Sequence, residues 1–189
     1  MFSGTFGSLI FSVMSFSRVQ DSHHPQFLQI WKLLETAFHP GERRSLASLK
    51  QVVLEEQMHL LVWGESVQAV AVLWKFGEFD FLEYVAVDPS LRGQGLGTTL
   101  MQALLASLEK PFLLEVQPGT DAPNQARIRF YQRLGLHLNR HTYFQPPYQR
   151  GGETFPLQIM SAPHLLDEAD FLAYTLLIKN EVYEQWYEA

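Results

Sequence analysis

The spacing of apolar residues changes period along the chain, and each change predicts an element. From Phe79 to Val87 apolar residues run almost unbroken, β-branched and aromatic, and Glu83 is the only charge within Phe81–Val87. Such a run predicts a central strand buried on both faces. Asp88-Pro89-Ser90 ends it, because proline cannot donate to a sheet ladder. Leu96, Leu100, Met101, Leu104, Leu105 and Leu108 then fall at helical spacing. Between strand and helix stands Arg92-Gly93-Gln94-Gly95-Leu96-Gly97, so the helix opens inside a glycine run.

Ahead of this stretch, Ser15–Val19 fits a short first strand. Asp21 or Ser22 caps a helix from Pro25 to Phe38, whose Phe27, Ile30, Trp31, Leu34 and Phe38 form one stripe. His39-Pro40-Gly41 closes it, and a shorter helix follows over Ser45 to Glu55. Met58–Trp63 and Val67–Phe76 read as strands joined in hairpin fashion through Gly64-Glu65-Ser66. Beyond the central helix, Phe112–Gln117 is a fifth strand, Asn124 to Leu134 a helix closed by Gly135, and Leu136–Phe144 and Pro156–Met160 two final strands. Asp167 to Trp186 is a terminal helix with Phe171, Tyr174, Ile178, Val182 and Trp186 along one side. So wide an apolar face needs a cover, either its own domain or a dimer partner.

Composition narrows the class. At 189 residues the chain can build a sizeable core, and 47% hydrophobic with 18% charged residues is globular rather than disordered. A net charge of −6 without any basic stretch argues against a nucleic-acid partner and suits a cationic amine. There is no cysteine, which removes disulfides, thiolate metal sites and a cysteine nucleophile, and agrees with a cytoplasmic location. The seven histidines show no HExxH spacing, and His137 and His141 have no third ligand in view, so no metal is expected. No GxSxG elbow supports serine hydrolysis. Residues 1–14 are apolar without the basic start of a signal peptide or the length of a membrane span, so no membrane partner is expected. Met14 opens an ordinary beginning for the domain, and the leader before it is expected to be dispensable.

A glycine-rich turn between a strand and a helix N-terminus is a place to bind phosphate. Glycine lets backbone approach an anion, and the first helical N–H groups point at it unpaired. Thr98 and Thr99 add hydroxyls in the first turn. The spacing is neither GxGxxG nor a P-loop. Arg-x-x-Gly-x-Gly, Arg92 to Gly97, after a strand ending Glu-Tyr-Val-Ala-Val-Asp-Pro, resembles the pyrophosphate-binding motif of the GNAT superfamily, the acyl-CoA-dependent N-acyltransferases. RIRFYQRLG, Arg127 to Gly135, preceded by Asn124, resembles a later helix of that family, and the wording is similar to a bacterial subgroup. Arg127 stands where a small residue is usual there, and Leu136 where Phe is usual.

The resemblance covers roughly residues 15–161 and implies an α/β fold, a mixed central sheet flanked by helices, here with an extra C-terminal helix over 162–189. It implies acetyl-CoA as cosubstrate. The residues it assigns to that ligand are Arg92, Gly93, Gln94, Gly95, Leu96, Gly97 and Thr98 in the loop, Asn124 on the later helix, and the backbone of Val85, Ala86 and Val87. It also implies that Tyr131, seven residues after Asn124, faces the thiol.

The chemistry follows from proton affinities. A lysine-like amine with a pKa of about 10.4 is neutral only about one part in a thousand near pH 7, so a base is useful. Glu83, a carboxylate in an apolar strand, is assigned that role, directly or through water. Strand alternation puts it on the face of Phe81, Val85 and Val87. The alternative is a structural carboxylate bonded to backbone or to an arginine. Tyr131 is assigned as the acid that protonates the leaving thiolate. Asp80 and Glu115 are candidates to bind a cationic substrate, and Arg127 and Arg129 to meet the CoA 3′-phosphate. The expected activity is N-acetyl transfer to a primary amine, small-molecule or peptide, by a monomer or homodimer. The competing class is a binding module that holds acyl-CoA without turnover. Specificity is expected in the loops His39–Arg44 and Gln145–Glu153.

Overall fold

The computed structural model of the protein describes residues 16–187, so the leader lies outside the described residues. Strands β1 (Phe16–Val19), β2 (Met58–Trp63), β3 (Ala69–Lys75) and β4 (Asp80–Val87) pair antiparallel in chain order. Helix α1 (Phe27–Ala37) and α2 (Leu46–Val52) intervene after β1. Helix α3 (Leu96–Ala106) carries the chain over to β5 (Phe112–Val116), which runs parallel to β4. Helix α4 (Ala122–Arg133) leads to β6 (His137–Leu138) and β7 (Tyr143–Gln145), and both pair with β8 (Phe155–Ala162), itself antiparallel to β5.

The single strand expected over Leu136–Phe144 is thus two short ones, and Asn139 is the reason. Its buried amide donates to Ile159 O at 3.2 Å and to Ser161 Oγ at 2.9 Å, while its Oδ1 accepts from Leu166 N at 2.9 Å. A polar side chain bonded to backbone competes with regular pairing, and here it diverts the ladder. Helix α4 begins two residues ahead of Asn124 because Asp121 caps it, accepting from Asn124 N at 2.8 Å.

Two cores cover the sheet. The first joins Phe27, Ile30 and Leu34 of α1 and Leu49 of α2 to Phe81 and Tyr84. The second joins Leu100, Met101 and Leu104 of α3 and Ile128 and Tyr131 of α4 to Leu73, Leu82 and Leu114. The terminal segment enters the first core through Phe171, Ile178, Val182 and Tyr183, so that stripe is covered by its own domain, while Leu172 and Leu176 beside it stay exposed. It is not one continuous helix: α5 (Glu168–Leu177) passes into a π-helical turn over Ile178–Tyr183 and a 3-10 turn over Glu184–Trp186.

The central strand departs from simple alternation. Val72 faces Tyr84 and Leu73 faces Leu82, which leaves Glu83 as the extra residue of a bulge. Past the bulge the faces exchange. Phe81 and Tyr84 share the first core, whereas Leu82, Val85 and Val87 pack with the second. Glu83 bonds to groups on the Phe81–Tyr84 side, so the face expected for it with Val85 and Val87 is corrected by the bulge.

Candidate functional site

Strands β4 and β5 stay paired only over Asp80–Leu82 and Phe112–Leu114. Beyond that they part, and alternate backbone groups of Val85, Ala86 and Val87 face a gap in place of a neighbouring strand. A cavity of about 370 Å³ fills it. Leu82, Leu114 and Tyr131 of its wall belong to the second core, and Tyr84 and Leu157 to the first, so the cavity passes through the sheet.

Arg92 and Arg127 line the cavity together with Tyr131. Arg92 is anchored by a bond from its Nε to Val87 O at 3.3 Å. The preceding turn is set by Asp88, whose Oδ1 accepts from Ser90 N at 2.8 Å. Gly93 and Gly95 adopt φ of +77° and +82°, where a side chain is strained even though a Cβ at either would meet nothing within 4 Å. The backbone N–H groups of Gly93, Gln94, Gly95, Leu96 and Gly97 have no protein acceptor among the described residues, while Thr98 and Thr99 both donate to Gly95 O. This row of free donors at the N-terminus of α3 fits a pyrophosphate. The Thr99 hydroxyl turns back to Gly95 O at 3.4 Å.

Asn124 is outside the cavity wall. Its Nδ2 donates to Asp121 Oδ2 at 3.0 Å, tying it to the helix cap. Tyr131 is inside the wall and buried. Burial raises its pKa, the nearby Arg127 charge partly opposes this, and the phenol keeps its proton.

The other half of the cavity is acidic and aromatic. Both expected specificity loops reach it, the first through Glu42 and the second through Gln145 and Tyr148. Glu83 and Glu115 stand on adjacent strands here with different surroundings. Glu83 Oε1 accepts from Arg44 Nε at 2.8 Å and Oε2 from Trp74 Nε1 at 2.6 Å, and its side chain has no exposed surface. Burial works against the Arg44 charge, but Glu83 and the neighbouring Tyr84 and Tyr148 outweigh it and raise the guanidinium pKa. This is the arginine-bonded arrangement held as the alternative for Glu83. Glu115 has no cationic partner among the described residues. Tyr183 Oη donates to its Oε2 at 2.8 Å and Tyr143 Oη donates to its Oε1. Burial pushes its pKa up to about 7, the two phenols hold it down against that, and Glu83 adds to the rise.

From the sequence Glu115 is a candidate only to bind a cation and Arg44 only the end of an expected specificity loop, and nothing there connects Tyr143 or Tyr183 with the site. A carboxylate in the run Phe112–Val116 was the available signal for Glu115. Its phenol donors come from β7 and from the terminal segment, far away in the chain.

Comparison with known proteins agrees with this fold. The signature of the acetyltransferase (GNAT) family matches residues 24–136. The chain belongs to the GNAT acetyltransferase family. YjbC of Bacillus subtilis (strain 168), an acetyltransferase by name, is 32% identical over 105 residues, a match that spans about half of each protein, 54% of this chain and 54% of YjbC. A GNAT-family protein from Bacteroides thetaiotaomicron superposes with a TM-score of 0.85 at 28% identity, over 90% of this chain and 98% of that one. The ribosomal-protein-S18-alanine N-acetyltransferase of Escherichia coli shares the fold, with a TM-score of 0.56 at 22% identity over 81% of this chain and 95% of its own. Among the described residues no helix is long and apolar enough to cross a membrane, and no group of three or more His, Asp or Glu is placed to hold a metal.

Proposed function

We propose that the protein transfers an acetyl or other short acyl group from acyl-CoA to a primary amine by direct attack. The observation that carries this reading is the parted β4–β5 pair, whose cavity is bordered by Arg92 and Arg127 and by Glu42 and Glu115, with the free loop donors following Arg92 in the chain. An anionic donor suits the arginines and the loop, the donor half, and a cationic amine suits the carboxylates, the acceptor half. Gly93 to Gly97 would hold the pyrophosphate, and the backbone of Val85–Val87 the extended arm of the donor, which supplies the activated acyl group.

Within this reading we move the base from Glu83 to Glu115. A carboxylate held by a guanidinium and an indole, with no exposed surface, is poorly placed to take a proton. Both carboxylates border the cavity, but the partners of Glu115 are neutral phenols, and a pKa of about 7 matches a base working near neutrality. It takes a proton from the bound ammonium, directly or through water. Tyr131 keeps its proton at neutral pH and gives it to the sulfur as the C–S bond breaks.

Melting with and without millimolar acetyl-CoA tests the donor half. A ligand at about a hundred times its Kd adds roughly 2.7 kcal/mol, worth several degrees. The shift should be absent in Gly95→Glu, which sets a carboxylate against the phosphate donors. No shift in the unaltered protein would overturn the reading. A positive result is followed by a panel of primary amines, scored by thiol release.

A further inference from the structure

The family signature ends at residue 136, yet the wall around Glu115 is built largely from what comes later. Tyr143 belongs to β7, Tyr148 to the loop after it, and Tyr183 to the π-helical turn near the end of the described chain. Tyr183 is 1% exposed, so its hydroxyl needs an internal partner, and the Glu115 carboxylate is that partner. The residue before it is engaged as well: Val182 O accepts from Arg44 Nη2, on the guanidinium that holds Glu83. The tail therefore touches both carboxylates, one through a side chain and the other through an arginine.

We infer that the C-terminal segment is a working part of the acceptor half of this site, with Tyr183 the positioning residue that fixes the Glu115 carboxylate and sets its charge state. The inference rests on the acyl-transfer reading for its functional consequence, while the hold of Tyr183 on Glu115 stands on geometry alone. Tyr143 and Tyr183 each occupy one oxygen, so the carboxylate cannot rotate without losing a donor. Both phenols favour the charged form. Burial and the Glu83 charge from β4 oppose it. Tyr84 on β4, Tyr148 and Arg44 make up the next layer, and Glu42 and Arg127 border the same cavity. Replacing Tyr183 by Phe removes one donor and keeps the ring against Tyr148, 4.9 Å away. Glu115 then holds its proton to higher pH.

The test is a carboxyl-carbon NMR titration of Glu115 in the full chain without substrate. The wild-type midpoint is expected near 7. Tyr183→Phe should raise it by about one pH unit, the scale of a hydrogen bond to a charged group. Tyr143→Phe, which removes the donor from the other oxygen, calibrates the response. 3-Fluorotyrosine at position 183, a stronger donor of nearly the same shape, should move the midpoint down and covers the case in which the Phe variant does not fold. With an amine acceptor in hand, the acidic limb of kcat/KM should follow each midpoint. An unmoved midpoint in both altered chains overturns the inference. Transfer that survives Glu115→Gln with its acidic limb intact overturns the base assignment instead, and the midpoints still decide whether Tyr183 controls Glu115.

Discussion

Arg44 Nε lies 2.8 Å from Glu83 Oε1, and both side chains are shut away from water, 2% and 0% exposed. A pair so deeply placed is held by geometry, since the loss of hydration for both ions offsets much of their attraction. Removing one partner leaves the other charge buried alone. Arg44→Met should therefore cost about 3–5 kcal/mol in urea unfolding. Arg44→Met combined with Glu83→Leu should cost clearly less than the sum of the two single changes. Additive costs would show that the two groups do not act as a pair.

Glu115 supports a prediction of two opposite signs. As the proposed base, its change to Gln should lower transfer by about 10²- to 10⁴-fold. Its folded pKa, raised from 4.5 to about 7 by burial, means that the folded chain binds this proton more tightly than the unfolded chain. The stabilisation is complete below the unfolded value and is lost as pH rises to about 7, at most about 3 kcal/mol in all. Gln carries no such loss. The variant should thus gain stability relative to wild type between pH 4.5 and 7 while losing activity, which melting curves across that range would read directly.

Much of this site was legible in the chain, and the reasons for the rest are local. The loop Arg92–Gly97 and the helix after it could be placed because glycine spacing and apolar period are properties of neighbouring residues. The terminal segment could be seen to need a cover for the same reason. What alternation could not show is the bulge at Glu83, where one unpaired residue exchanges the faces of everything after it. Nor could spacing reveal that Glu83 meets Arg44, or that Glu115 meets Tyr183, 68 residues away. Side-chain partners brought together by the closing of the sheet leave no periodic trace.

His59 should act on stability in the opposite direction. Burial, followed by the charges of Arg18 and Lys75, lowers its pKa from 6.5 to about 4. The folded state therefore prefers the neutral ring. The stabilisation from this group is present above pH 6.5 and is lost as pH falls toward 4. His59→Gln should flatten the acid side of the stability profile and leave the curve above pH 7 unchanged in shape. A profile as steep as wild type between pH 6.5 and 4 would remove His59 as the cause.

Tyr131 separates catalysis from binding. Tyr131 borders the cavity with Arg127, and it packs in the second core, so Tyr131→Phe removes the proton while leaving the wall in place. If the phenol is the acid, kcat should fall by about 10² or more. The melting shift produced by acetyl-CoA should persist, because the loop donors at Gly93–Gly97 are untouched. Acyl donors that release thiols of lower pKa need less help from an acid, so such donors should narrow the gap between variant and wild type. Full turnover by Tyr131→Phe with the natural thioester would transfer the role to solvent or to another group.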